Sequence, residues 1–176
     1  YGPFVRALLE GVVPERFPGV LRPDRYEQVH ELLPPVNLNT EGRNLQIEQG
    51  MFAIIDMQWT RELARLLAGR RVLEVMSGRG WLAKAMRAHG IDWHATDDFS
   101  WTRRPVVTGV QKVDAVEAVR LYARTSDVLC ICWPPYEETV CEEIVRAWPA
   151  GKPIVYIGEW GHGCTGTPEF HQMLTR

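Results

Sequence analysis

Residues 72–85 read VLEVMSGRGWLAKA, and the fold turns on this stretch. Residues 72–76 are apolar except for Glu74, residues 81–85 open a helical pattern, and Gly78-x-Gly80 lies between them. Glycine permits a tight turn and lets a ligand approach the backbone, while the start of the next helix presents N–H groups that have no partner of their own. The order of these parts predicts strand, glycine loop and helix in direct succession.

Toward the carboxyl terminus, short apolar runs alternate with helical ones. Strands are expected at RRVLEVM (70–76), IDWHAT (91–96), DVLCIC (127–132) and PIVYIGE (153–159), with a weak one inside VVTGVQKV (106–113). Helices are expected at WLAKAMRAHG (81–90), DAVEAVRLYAR (114–124) and EETVCEEIVRAW (137–148). Such alternation is the mark of a parallel sheet with helical crossovers. Only about a dozen residues separate Asp97 from the middle of the third strand, the minimum for a parallel crossover, so the usual helix there is expected to be shortened or lost.

Toward the amino terminus, Ile47, Met51, Ile54, Ile55, Trp59, Leu63, Leu66 and Leu67 recur at helical spacing and predict one amphipathic helix from Asn44 to Gly69. Residues 1–43 hold six of the 12 prolines around two helix-like runs, FVRALLE and DRYEQVHELL. They read as a proline-rich helical cap, with the α/β domain over 44–176.

The 176 residues, 45% hydrophobic, are enough for one domain with its own core. A formal net charge of −2 announces neither nucleic acid nor an anionic membrane, although Arg61–Arg104 carries a mild basic excess. Cys130, Cys132, Cys141 and Cys164 show no metal-ligand spacing; they read as reduced thiols of a cytoplasmic protein, and no metal is expected. No apolar run reaches the length of a membrane span.

Two cofactor classes use a loop of this kind. Gly78-x-Gly80-x-x-Ala83, with Asp97 or Asp98 about twenty residues on, satisfies a variant of the dinucleotide fingerprint. VLEVMSGRG instead resembles motif I of the Rossmann-like class I S-adenosylmethionine-dependent methyltransferases, in which an acidic residue precedes the glycines. Glu74 favours the second: a carboxylate in an apolar strand is costly unless paired, and either a cationic amine of the cofactor or a nearby arginine would pair it. The resemblance covers about residues 70–159. It implies a mostly parallel sheet, Glu74 near the methionine part of S-adenosylmethionine, and close backbone approach at Gly78 and Gly80. Met76 stands where the family has its first loop glycine. By the same resemblance Asp97 serves the ribose, with Asp98 as the spare, and Asp114 the adenine amino group. Asp114-x-x-Glu117 is also a helix capping box. The chain stops before the last strand pair of a seven-stranded sheet: either it is a piece of a longer protein, or the sheet is reduced to about five strands.

CICWPPY (130–136) ends the fourth expected strand in two prolines. It resembles motif IV of the amino-group methyltransferases, where a polar residue precedes Pro-Pro-Tyr. Pro134, Pro135 and Tyr136 would hold the acceptor beside the cofactor, the prolines fixing the loop and the Tyr offering a stacking face. Trp133 occupies the polar position and accepts no hydrogen bond, so it shapes the pocket, and a second acceptor falls to Glu137, Glu138 or Glu159. Trp81, Trp101, Trp133 and Trp160 each follow a strand and map to one edge of the sheet, where a pocket built from them would suit a flat or cationic substrate. GEWGHGCTGTPEFHQ (158–172) reads as a loop closing over the site, with His162 an outside candidate for proton transfer. The expectation is methyl transfer to a nitrogen of a nucleobase, a protein side chain or a small amine. An NAD(P)-dependent oxidoreductase and a non-catalytic S-adenosylmethionine-binding module are the alternatives.

Overall fold

A computed structural model describes residues 2–17, 38–161 and 163–175. Five strands, β1 (Arg71–Val75), β2 (Asp92–Asp97), β3 (Gln111–Lys112), β4 (Val128–Cys132) and β5 (Ile154–Ile157), form one sheet in the order β3-β2-β1-β4-β5. Every pairing is parallel. The helices are α1 (Gly2–Leu9), α2 (Leu38–Glu48), α3 (Met57–Leu66), α4 (Trp81–Ala88), α5 (Ala115–Tyr122), α6 (Val140–Ala147) and α7 (Pro168–Met173). This is the expected α/β, Rossmann-like arrangement. The chain runs outward from β1 through β2 to β3, then returns to the other side of β1 for β4 and β5. The switch in strand order therefore lies between β1 and β4, and ligands of open parallel sheets bind beyond the carboxyl ends of the strands at that point.

Alternate residues of the central strands serve two cores, as the period of two requires. Val72, Val128 and Cys130 join Trp93 and Ala95 of β2 under α1, α3 and α4, which contribute Phe4, Leu8, Ala64, Leu82 and Met86. Leu73, Val75, Leu129 and Ile131 face the opposite layer, with Ala118 and Val119 of α5, Ile144 of α6 and Phe170 of α7. Residues buried on both faces explain why β1 and β4 are almost continuously apolar. Glu74 interrupts that pattern on the face shared with α4.

The single helix expected over Asn44–Gly69 is two helices separated by an extended segment. Gly50 takes a left-handed φ of 65° and ends the first. Met51, Ala53 and Ile55 are then buried while Phe52 and Ile54 are exposed, an alternation of period two. Asp56 starts α3, its Oδ1 accepting from the backbone N–H of Gln58 and Trp59 and its Oδ2 from Phe17 N–H at 3.1 Å. Helix α2 runs across the 43/44 boundary drawn from the sequence, and Phe4, Leu8, Val13 and Phe17 enter the same core as α4. The DRYEQVHELL run and His162 lie outside the described residues.

Between β2 and β3 there is no helix, as the short spacing required, and the strand expected in VVTGVQKV shrinks to Gln111–Lys112. Two arginines hold this crossover in place of helix packing. Arg79 donates to Pro105 O at 2.6 Å, and Arg87 donates to Thr108 Oγ1 and Gly109 O.

Candidate functional site

At the switch point a shallow cleft, open to solvent, is bounded by three parts. One wall is the glycine loop and the start of α4, with Met76, Ser77, Gly78, Trp81 and Leu82. A second is the end of β4, with Cys132 and Trp133. The third is the extended segment after Gly50. Glu74 lies among them.

The glycine loop follows from contacts made at the end of β2. Ser77 donates to Thr96 O through both its backbone N–H and its hydroxyl, and Gly78 N–H donates to Asp97 Oδ2 at 2.7 Å. The two glycines do different work. A Cβ on Gly78 would meet nothing within 4 Å, so that backbone faces open space at φ 55°. A Cβ on Gly80 would come within 2.7 Å of Val110 Cγ2 and 2.9 Å of Thr108 Cγ2, so Gly80 admits the crossover against the loop. It is also the N-cap of α4 and brings no capping side chain to the first N–H groups of that helix.

Glu74 is 1% exposed. Its Oε2 accepts from Trp93 Nε1 at 2.6 Å, so the partner is an indole and not the arginine that the sequence left open. Burial pushes its carboxyl up to about 8, against the opposing effects of the Trp93 hydrogen bond and the charge of Arg87. The acid is thus held largely protonated at neutral pH, at the edge of a cleft, with one donor to satisfy it. A cation placed beside it would draw it back to the ionised form.

Asp97 is 8% exposed and already employed. Its Oδ1 accepts from Phe99 N–H and its Oδ2 from Gly78 N–H, each at 2.7 Å. Burial raises its carboxyl while these two N–H groups oppose the rise. Each oxygen keeps a lone pair for a further donor. Asp98 is exposed and accepts from Ser100 N–H. Asp114 accepts from the N–H groups of Val116 and Glu117, the capping role; none of Asp97, Asp98 and Asp114 lines the cleft itself, and Asp97 reaches it through its bond to Gly78 N–H.

The proline pair is fixed from the far side. Pro135 O accepts from Gly166 N–H at 3.1 Å, and Tyr136 bridges to Gly166. Among the described residues, the carbonyl of Pro134 receives no hydrogen bond. Trp133 takes a φ of 54°, and its N–H reaches Ile157 O at 2.6 Å. Tyr136 is exposed, as are Glu137 and Glu138. Glu159 Oε2 accepts from Cys164 N–H at 2.7 Å, which holds its carboxyl below the usual range with help from Arg43.

Of the four tryptophans mapped to this edge, Trp81 and Trp133 line the cleft. Trp101 and Trp160 are exposed at 69% and 56%, and Trp160 stacks on His171 with centroids 4.9 Å apart. The sequence reading missed two arginines beside the cleft. Arg43 donates to Met51 O and Phe52 O and lies 5.6 Å from the Trp133 ring centroid. Arg79 donates to Gln49 O, which also accepts from Trp81 Nε1, and lies 5.5 Å from the Trp81 ring centroid. Among the described residues no three His, Cys, Asp or Glu side chains come together as metal ligands, and no helix is long and apolar enough to cross a membrane.

Compared with protein-family models, curated proteins and solved structures, the chain matches none.

Proposed function

We propose that this protein binds S-adenosylmethionine in the β1–β4 cleft and transfers its methyl group to nitrogen. The observation that carries the reading is Glu74, a carboxyl held in the core at the ligand end of the central strand with a single donor, where a cationic amine would complete it. Gly78 offers the backbone face that a ligand needs for close approach, because no neighbour fills the space where a Cβ would lie. Asp97, with a lone pair left on each oxygen, suits a vicinal diol such as a ribose, and Asp98 adjoins it. Asp114 serves as a helix cap, and its adenine role rests on the resemblance alone.

When bound, the cofactor supplies an electrophilic methyl group on a sulfonium. The residues of the chain orient the acceptor. The carbonyl of Pro134, a buried residue next to the cleft-lining Trp133, receives no hydrogen bond among the described residues and is the acceptor for an N–H of the amine, which leaves the nitrogen lone pair directed away from that bond. Gly166 fixes Pro135 and Tyr136, so this carbonyl stays in place as the acceptor enters. Trp133 walls the cleft without accepting a hydrogen bond, and the ionised Glu159 carboxylate is an acceptor for a second N–H at the rim. Glu137 and Glu138, both exposed, offer further acceptors and a route for the proton to solvent.

Thermal unfolding with S-adenosylhomocysteine and, separately, NAD tests the cofactor: ligand at ~100 times its dissociation constant adds ~2.7 kcal/mol to stability. Stabilisation by S-adenosylhomocysteine that Glu74→Gln abolishes supports the reading, whereas stabilisation by NAD alone replaces it with the oxidoreductase. Transfer of a labelled methyl group to nucleoside, peptide and small-amine pools tests the chemistry. Binding without transfer to any pool would identify a non-catalytic module.

A further inference from the structure

Trp133 and Trp81 both line the cleft, and each carries an arginine at cation–π distance, Arg43 at 5.6 Å and Arg79 at 5.5 Å. Both guanidiniums bind the backbone of one segment, Arg43 through Met51 O and Phe52 O and Arg79 through Gln49 O. Among the described residues, neither lies within 4.0 Å of a carboxylate. Burial lowers the pKa of both, against the opposing charges of Cys164 and Glu159 at Arg43 and with the added repulsion of Arg104 at Arg79. The aromatic faces that would attract a cationic acceptor are therefore already served by the chain's own cations, and a further cation approaching the Trp133 or Trp81 ring, away from Glu74, would meet like charge.

We infer that Arg43 is a specificity-determining residue, selecting flat acceptors that are neutral or anionic and excluding cationic amines from the Trp133 wall. The inference rests on the methyltransferase reading for the word acceptor, but its charge rule is a property of the Trp133 wall. Two features single out Arg43 over Arg79. Arg43 adjoins the proline pair through Trp133, whereas Arg79 is committed to the crossover loop through Pro105 O. Glu159, a carboxylate that acts on Arg43 electrostatically, is itself bound to Cys164 N–H and is exposed, so it compensates Arg43 only at a distance.

Benzamidinium, benzamide and benzoate are flat probes of one shape and three charges. Their binding is followed by tryptophan fluorescence, with and without S-adenosylhomocysteine, in the intact chain and in Arg43→Gln and Arg43→Lys. Benzamidinium is expected to bind about tenfold more weakly than benzamide in the intact chain, the scale of like-charge repulsion from Arg43 near a protein surface. The gap closes in Arg43→Gln and persists in Arg43→Lys, which keeps the charge and loses the planar fork. Equal binding of all three probes in the intact chain, or a gap that survives Arg43→Gln, overturns the inference. If S-adenosylhomocysteine fails to bind while the probe ranking holds, the cofactor assignment has failed and the charge rule stands. A lost ranking with S-adenosylhomocysteine still bound has the opposite meaning.

Discussion

Replacing Glu74 by Gln should make the protein more stable, by an amount that depends on pH in a defined way. The carboxyl titrates at about 8 in the folded chain against 4.5 for the ordinary group. Below 4.5 both folded and unfolded chains hold the proton, and burial of the neutral acid carries no ionisation penalty. As pH rises from there the unfolded chain ionises first, so folding takes up a proton and stability is lost at about 1.4 kcal/mol per pH unit. Above about 8 both states are ionised and the penalty is constant. Over that window it amounts to about 5 kcal/mol at most, and to about 3 kcal/mol at neutral pH. Gln carries no charge, and its carbonyl accepts from Trp93 Nε1 as Glu74 Oε2 does. The stability difference between variant and parent should therefore be flat in acid, grow through neutrality and level off in mild alkali. Urea denaturation at closely spaced pH values measures it directly. Parallel pH profiles for the two proteins would refute the buried-acid reasoning. So would a difference that shrinks as pH rises. The same titration governs the ligand: S-adenosylhomocysteine, through its cationic amine, should bind more tightly as pH rises toward about 8, and the variant should lose that dependence.

The two loop glycines should separate in denaturation experiments. Gly80→Ala places a methyl group 2.7 Å from Val110 Cγ2 at a φ of 84° and should cost about 3 kcal/mol, whereas Gly78→Ala meets no neighbour and should cost about 1 kcal/mol while weakening S-adenosylhomocysteine. Equal losses at the two sites would show that the space facing Gly78 is not the distinguishing feature. Asp114→Ala should cost about 1 kcal/mol through the lost cap of α5 and leave cofactor affinity unchanged, with Asp114→Asn restoring stability; a fall in affinity in both would return Asp114 to the cofactor. At Met76, with φ 55°, Gly should be tolerated within about 1 kcal/mol because relief of backbone strain offsets lost packing, while the β-branched Val should cost about 2 kcal/mol or more; comparable denaturation midpoints for the two variants would argue against strain.

The alternation of period two with period 3.6 made the strands and crossovers legible, and the missing β2–β3 helix followed from chain length alone. Glu74 was legible because a carboxylate in an apolar strand is conspicuous. Its partner was not: the β1–β2 register sets Glu74 against Ala95, which places Trp93 two residues back on the same face, and no pattern along the chain reports that register. The break near residue 50 was hidden by ambiguity. Ile47, Met51, Ile54 and Ile55 fit a helical stripe, yet Met51, Ala53 and Ile55 equally fit an extended run, and Gly50 and Asp56 were the stop and start signals that decided between them. Arg43 and Arg79 were unreadable as site residues because a guanidinium bound to backbone carbonyls and stacked on an indole has no sequence signature.

Backbone strain marks the same place without reference to any motif. Four non-glycine residues among those described adopt positive φ: Met76, Phe99, Trp133 and Glu137, at 54–63°. Met76 is the first residue after β1 and Trp133 the first after β4, Phe99 is the second after β2, and Glu137 ends the proline loop. All four lie where strands deliver their carboxyl ends, and the two on the adjacent central strands line the cleft. A left-handed L-residue costs about 1–2 kcal/mol relative to its ordinary conformations, and glycine would relieve it at each position. Bulky side chains there carry compensation of another kind. Turning the backbone at the first residue past each strand breaks the alternation of faces and directs Met76 and Trp133 into the cleft from two sides. Met76 thereby narrows the cleft at the cost of strain, and Trp133 adds an aromatic wall to it at the same cost. The two strained positions are thus one structural feature: a cleft narrowed from two sides by bulky side chains at the first residues past β1 and β4.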